Sequence, residues 1–96
     1  MATTTILWRL KITPGKEAEF EALARELVHN VHANEPGQVF EYRRSKEGPR
    51  DYVLYLSFDN EVAYERYSQA DYHRGVSPKM MALIAGSPVA EHLEMF

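Results

Sequence analysis

Residues 63–81 read AYERYSQADYHRGVSPKMM, with tyrosine at 64, 67 and 72 and one histidine, His73, directly after the last of them. An unperturbed imidazole titrates near ~6.5, so it can accept a proton at neutral pH. His73 is therefore the leading candidate for a general base. Tyr67 and Tyr72 are candidates to hold a substrate oxygen by hydrogen bonds. Tyr64 lies three residues before Tyr67 and can share its helical edge. The competing reading is packing. A tyrosine often lays its ring on a sheet while its hydroxyl reaches water, and a loop histidine simply faces solvent.

Other side chains offer weaker chemistry. Trp8 could give a flat wall to a ring, although a lone strand tryptophan is more often core. Tyr42 and Arg44 share one strand face; there Arg44 either pairs with an anionic ligand group or sits at a subunit interface. Met80 and Met81 suit core packing or an adaptable pocket roof. His29 and His32 are three apart on a helix, a possible metal spacing, yet no third ligand is evident and a solvated face is the expectation. His92, between two glutamates, reads as an edge or interface residue. No phosphate loop, zinc spacing, nucleotide fingerprint or serine triad signature occurs.

The elements that must position these groups follow from composition and period. The chain has 96 residues, 45% of them hydrophobic and 26% charged, with a net charge of −3. This is one globular domain, 1–96, with a modest core. No block of like charge and no basic face is present, which excludes the electrostatic footprint of a nucleic-acid or anionic-membrane binder. Cysteine is absent, so disulfides, thiolate metal sites and cysteine nucleophiles are excluded. The start, MATTTILWRLKI, reads as neither signal peptide nor membrane span, and a cytoplasmic location is expected. One tryptophan, six tyrosines and four phenylalanines are many for so small a core, so some are expected at a pocket or interface.

Segment 4–12 alternates, with Ile6, Trp8, Leu10 and Ile12 on one side, and predicts a strand. Phe20, Leu23, Ala24, Leu27, Val28 and Val31 form one stripe of a helix over 15–33. NEPG at 34–37 ends it. A strand over 38–46 places Phe40, Tyr42 and Arg44 on one face. YVLYLSF at 52–58 is nearly apolar on both sides, as in a strand covered twice. Asp59 or Asn60 caps a helix to about 69. Residues 70–76 read as a loose turn, Ser77-Pro78 as the start of a helix over 78–85, Gly86 as its end and 89–96 as a last strand. The order is that of an α+β, ferredoxin-like split βαβ fold with an antiparallel sheet and helices on one face. The apolar second face then predicts a homodimer with sheets packed face to face.

Four segments carry a resemblance: PGKEAEF at 14–20, EPG at 35–37, EYRRS at 41–45 and YVLYLSFDNEVAYERY at 52–67. In order and spacing they resemble the antibiotic biosynthesis monooxygenase family of dimeric α/β barrels, over the whole chain. The resemblance implies a ferredoxin-like subunit, a dimer closed by back-to-back sheets, and a pocket between sheet and helices. It also implies oxygenation of small quinols or phenolic aromatics by O2 with no metal or flavin. His73 would be the base, Tyr67 and Tyr72 its hydrogen-bonding partners, and Trp8, Tyr42, Arg44 and Met80 the substrate contacts. This chain departs from the family pattern. Leu56 and Phe58 stand where a glutamate and a tryptophan are common, and Tyr67, Ala70 and Tyr72 where His-x-x-Ser/Thr-x-His is common. The positions used by haem-degrading relatives fall on Trp8, Tyr67 and Ser77. These departures leave two alternatives: a non-catalytic binding or structural module, and a small-metabolite isomerase using the same base.

Overall fold

A computed structural model describes residues 3–96. The elements run β1 (Thr4–Lys11), α1 (Glu17–Asn34), β2 (Val39–Arg44), β3 (Asp51–Phe58), α2 (Glu61–Gln69), α3 (Asp71–Met81) and β4 (Val89–Leu93). The sheet order is β2-β3-β1-β4, with every neighbouring pair antiparallel. This is the α+β, ferredoxin-like arrangement.

Period two decides which side chains meet the helices. Register aligns Tyr42, Leu54, Trp8 and Ala90 in one row, and Phe40, Leu56, Ile6 and His92 in the next. Both rows lie on the helix-covered face. The core joins Ile6, Phe40, Leu54, Leu56 and Phe58 of the sheet to Phe20, Ala24, Leu27 and Val31 of α1. Those four α1 residues belong to the apolar stripe legible in the sequence. Alternate positions of the sheet point to the other side, which no helix covers. There Val39, Tyr55, Val89 and Leu93 are exposed. Near them Arg9 pairs with Glu91 at 2.9 Å and Arg43 with Glu41 at 3.3 Å.

Helix ends follow local chemistry. Gly37 has φ +87° and turns the chain out of α1, a left-handed conformation in which a side chain would be strained. The Asn60 side chain accepts from the Ala63 N–H at 2.9 Å and caps α2.

The third helix differs from expectation. Residues 71–76 are its first turns, Pro78 lies inside it, and it ends at Met81, five residues before Gly86. Ser77-Pro78 is thus not a helix start. The buried positions Val76 and Met80 lie four apart and continue one face through the proline. Pro78 costs one backbone hydrogen bond near the helix end, where fewer turns depend on it. Gly86, with φ +77°, turns the chain toward β4 instead. The last strand is also shorter than expected, stopping at Leu93.

Candidate functional site

The helices stand off the sheet around a cavity of about 280 Å³. Its floor is Trp8 and Leu10 of β1, Tyr42 of β2, and Leu54 and Leu56 of β3. Phe20 and Leu27 of α1 form one wall. Tyr64, Tyr67, His73, Ser77 and Met80 supply the rest, with Met81, Ile84 and Pro88 beside them. The hollow beside His73 is therefore open, and the aromatic side chains line it without filling it.

His73 is held in one orientation. Its Nδ1 lies 3.0 Å from the Ser68 carbonyl oxygen. A carbonyl only accepts, so Nδ1 carries the hydrogen and the neutral ring keeps its lone pair on Nε2. The imidazole is half-buried, and this burial holds its pKa below the ordinary histidine value, while the bond to Ser68 opposes the shift. The Tyr67 ring packs on it, centroids 4.6 Å apart.

Tyr67 is only 4% exposed. Its ring also meets Phe40 and Phe58, each at 5.3 Å, and Tyr64 at 5.8 Å. Burial pushes its hydroxyl pKa up strongly, and nearby Tyr42, Tyr64 and Tyr72 add to the shift. Tyr42 is raised by burial as well. Both hydroxyls thus stay protonated across the ordinary pH range.

The structure brings His73, Tyr67, Trp8, Tyr42 and Met80 to one cavity. It does not bring Tyr72 or Arg44 there. Tyr72 is on α3 next to His73 in sequence, but it is not on the cavity lining, and its buried hydroxyl has no hydrogen-bond partner among the described residues. Burial raises its pKa first, and of the Glu35–Arg66 pair the Glu35 charge raises it second while the Arg66 charge opposes. In that pair Arg66 Nε and Nη2 donate to the two Glu35 oxygens at 2.8 and 2.7 Å. This fork ties the end of α1 to α2, one residue before Tyr67. Glu35 is held below the usual carboxylate range by its bonds to Arg66.

Arg44 instead donates to Glu21 at 2.7 Å, and the Tyr52 hydroxyl donates to the same carboxylate. These groups rim a larger, open groove of about 610 Å³ between α1 and β2, which also takes in the exposed His29 and His32. That groove is rimmed by the charged Glu21, Arg25, Glu41, Arg43 and Arg44 and does not include His73. Sequence reasoning missed the Glu35–Arg66 fork and the share of Ser77, Ile84 and Pro88 in the cavity. A glutamate just after a helix end carries no signal of a partner thirty-one positions away.

Among the described residues no group of three or more histidine, aspartate, glutamate or cysteine side chains is placed to hold a metal. No helix among them is long and apolar enough to cross a membrane.

An antiparallel sheet half-covered by helices, with an aromatic cavity between the layers, defines a ferredoxin-like small-molecule-binding class. The sequence profile of the antibiotic biosynthesis monooxygenase family matches residues 3–78, and the chain belongs to that family. It is 31% identical to a protein from Caulobacter crescentus named for these monooxygenases, covering 99% of this chain and 91% of that one with a TM-score of 0.91. A protein from Nitrosomonas europaea with the same family name is 15% identical, with coverage of 97% and 89% and a TM-score of 0.86. A conserved protein from Methanosarcina mazei is 15% identical, with coverage of 97% and 92% and a TM-score of 0.87. The last two likenesses establish fold alone. No curated protein matches the chain.

Proposed function

We propose that this chain is a cofactor-independent monooxygenase acting on a small quinol or phenolic aromatic, as a homodimer in the cytoplasm. The observation that carries the reading is the open cavity beside an imidazole whose Nδ1 is tied to the Ser68 carbonyl. That tautomer leaves Nε2 unprotonated as the candidate base, on a side chain that lines an apolar, aromatic-walled space.

His73 Nε2 takes a proton from the substrate carbon or hydroxyl, and the resulting anion is delocalised over the ring system. The protonated hydroxyls of Tyr67 and Tyr42 are donors for its oxygen. The anion gives one electron to O2, and the radical pair joins to form a carbon–oxygen bond. The hydroperoxide takes back the proton from the imidazolium and loses water, leaving a quinone carbonyl. One oxygen atom enters the product and the other leaves as water.

The test is oxygen uptake with a panel of quinols and anthrone-type phenols, followed with isotopically labelled O2. One labelled atom in the product is expected. Uptake no greater than in buffer removes the oxygenase reading, and product formed without O2 favours an isomerase. The acid limb of the pH–rate profile is expected below the ordinary histidine range, since burial lowers the His73 pKa. The same shift links to stability. The unfolded histidine binds its proton at higher pH than the folded one, so stability rises with pH from the lowered value up to about 6.5 and is flat above. A proton titration of the imidazole resonances reads the midpoint directly.

The dimer reading is supported by the uncovered sheet face, where Tyr55, Val39, Val89 and Leu93 stay exposed beside Leu7 and Val53. A second copy, packed isologously, buries that strip and leaves the ion pairs near its rim. Sedimentation at micromolar concentration is expected to give twice the chain mass; a monomer contradicts the packing.

A further inference from the structure

We propose that the cavity beside His73 selects uncharged planar ligands of about two fused rings and rejects anionic analogues of the same shape. This rests on the reading above only in taking that cavity as the ligand site. It goes further by stating which small aromatics the site admits.

The argument is one of charge placement. The chain carries 11 basic and 14 acidic residues, yet among the described residues no arginine, lysine, aspartate or glutamate lines this cavity. Its titratable groups are His73 and the tyrosines 42, 64 and 67. Burial disfavours the charged form of the imidazole, and each tyrosine is pushed further from ionisation by burial.

The arginines that approach this face from elsewhere are already committed. Arg44 is bonded to Glu21, and Arg66 is forked onto the nearly buried Glu35. A carboxylate entering the cavity would lose water and meet no counter-charge. The neutral hydroxyls of Tyr42 and Tyr67 can donate to it, but they carry no charge to offset the lost hydration.

Size sets the second limit. An engineered apolar cavity of roughly 150 Å³ holds a benzene ring. About 280 Å³ takes two fused rings, with any further ring directed out past the mouth. Met81 lies at this mouth, on the cavity lining and 52% exposed.

The test is equilibrium binding under anaerobic conditions, read by quenching of Trp8, the chain's one tryptophan. The probes are 1-naphthol and 1,4-naphthoquinone against 1-naphthoate, 2-naphthoate and 1-naphthyl phosphate at pH 7.5. The two naphthoates differ in where the charge sits, so one cannot always turn it toward the mouth. The neutral probes are expected to bind on the order of 100-fold more tightly than the anions. Met81→Arg supplies a cation at an exposed position and is expected to raise naphthoate affinity at least tenfold relative to naphthol affinity measured on the same variant.

Anions that bind the wild-type protein as tightly as naphthol overturn the inference. So does a folded Met81→Arg variant that leaves naphthoate affinity relative to naphthol unchanged. Because no O2 is present, either failure leaves the oxygenase reading standing. Absence of oxygen uptake, in turn, leaves the charge selection intact.

Discussion

His73→Ala lowers kcat/KM for oxygenation of a quinol by about 10²–10⁴-fold, the usual contribution of a positioned general base. The ring is half-buried and contacts Tyr67 at 4.6 Å, so its loss leaves a small void at the cavity wall without opening the main core. His73→Gln separates the two roles of the side chain. Its amide can still donate toward the Ser68 carbonyl, which now receives Nδ1–H at 3.0 Å, but it cannot take a proton. An equal loss in both variants assigns the effect to proton transfer. Recovery in the glutamine variant assigns it to shape alone and removes the base from the mechanism. Tyr67→Phe keeps the ring and its contacts while deleting the hydroxyl, and is expected to cost less, on the order of tenfold, since Tyr42 remains as a donor.

Phe58→Ala destabilises the fold by about 3–5 kcal/mol, the range for truncating a fully buried phenylalanine. Phe58 has no exposed surface. Its ring packs on Tyr64 at 5.8 Å and Tyr67 at 5.3 Å, so the void opens directly behind the cavity tyrosines. Urea unfolding checks the size of the loss, and Phe58→Leu is expected to retain more than half of the stability. The same variant loosens Tyr67 against His73, so substrate binding is expected to weaken even where the protein remains folded. A change below 1 kcal/mol would mean the helices close over the void, and the sheet–helix spacing is then not set by this ring. The position is one at which the family commonly carries a tryptophan; here a phenylalanine fills the space between β3 and α2.

Legibility in the sequence followed the range of the interaction. The α1 stripe from Phe20 to Val31 and the alternation of β1 were readable because side-chain period is a local property of the backbone. A cap at Asp59 or Asn60 is readable for the same reason, and the structure selects Asn60, whose partner, the Ala63 N–H, is three residues away. The third helix was misplaced because Ser-Pro is a good local start signal. Packing of Val76 and Met80 on the core outweighed it.

The site divides along the same line. Tyr67 and His73 were legible as residue types suited to proton transfer and hydrogen bonding. Arg44 is legible as sharing one strand face with Phe40 and Tyr42, but which way that face looks is not, because its partner Glu21 lies on α1 and nothing local tells an arginine bonded to its own helix from one facing a ligand or a partner. Tyr72 was adjacent to His73 in sequence, and adjacency on a helix turns neighbours about 100° apart. That rotation leaves Tyr72 off the cavity lining, with its buried hydroxyl unpartnered among the described residues.

The sequence by itself determined the order of strands and helices, the apolar stripe of α1 and the absence of cysteine, because these depend on residue type and period alone. Tertiary structure decided which tyrosines share a cavity with His73, which nitrogen of that imidazole is free, and which arginines are already taken. Those outcomes depend on contacts between elements far apart in the chain, where a shift of one helical position exchanges a cavity wall for a buried ion pair.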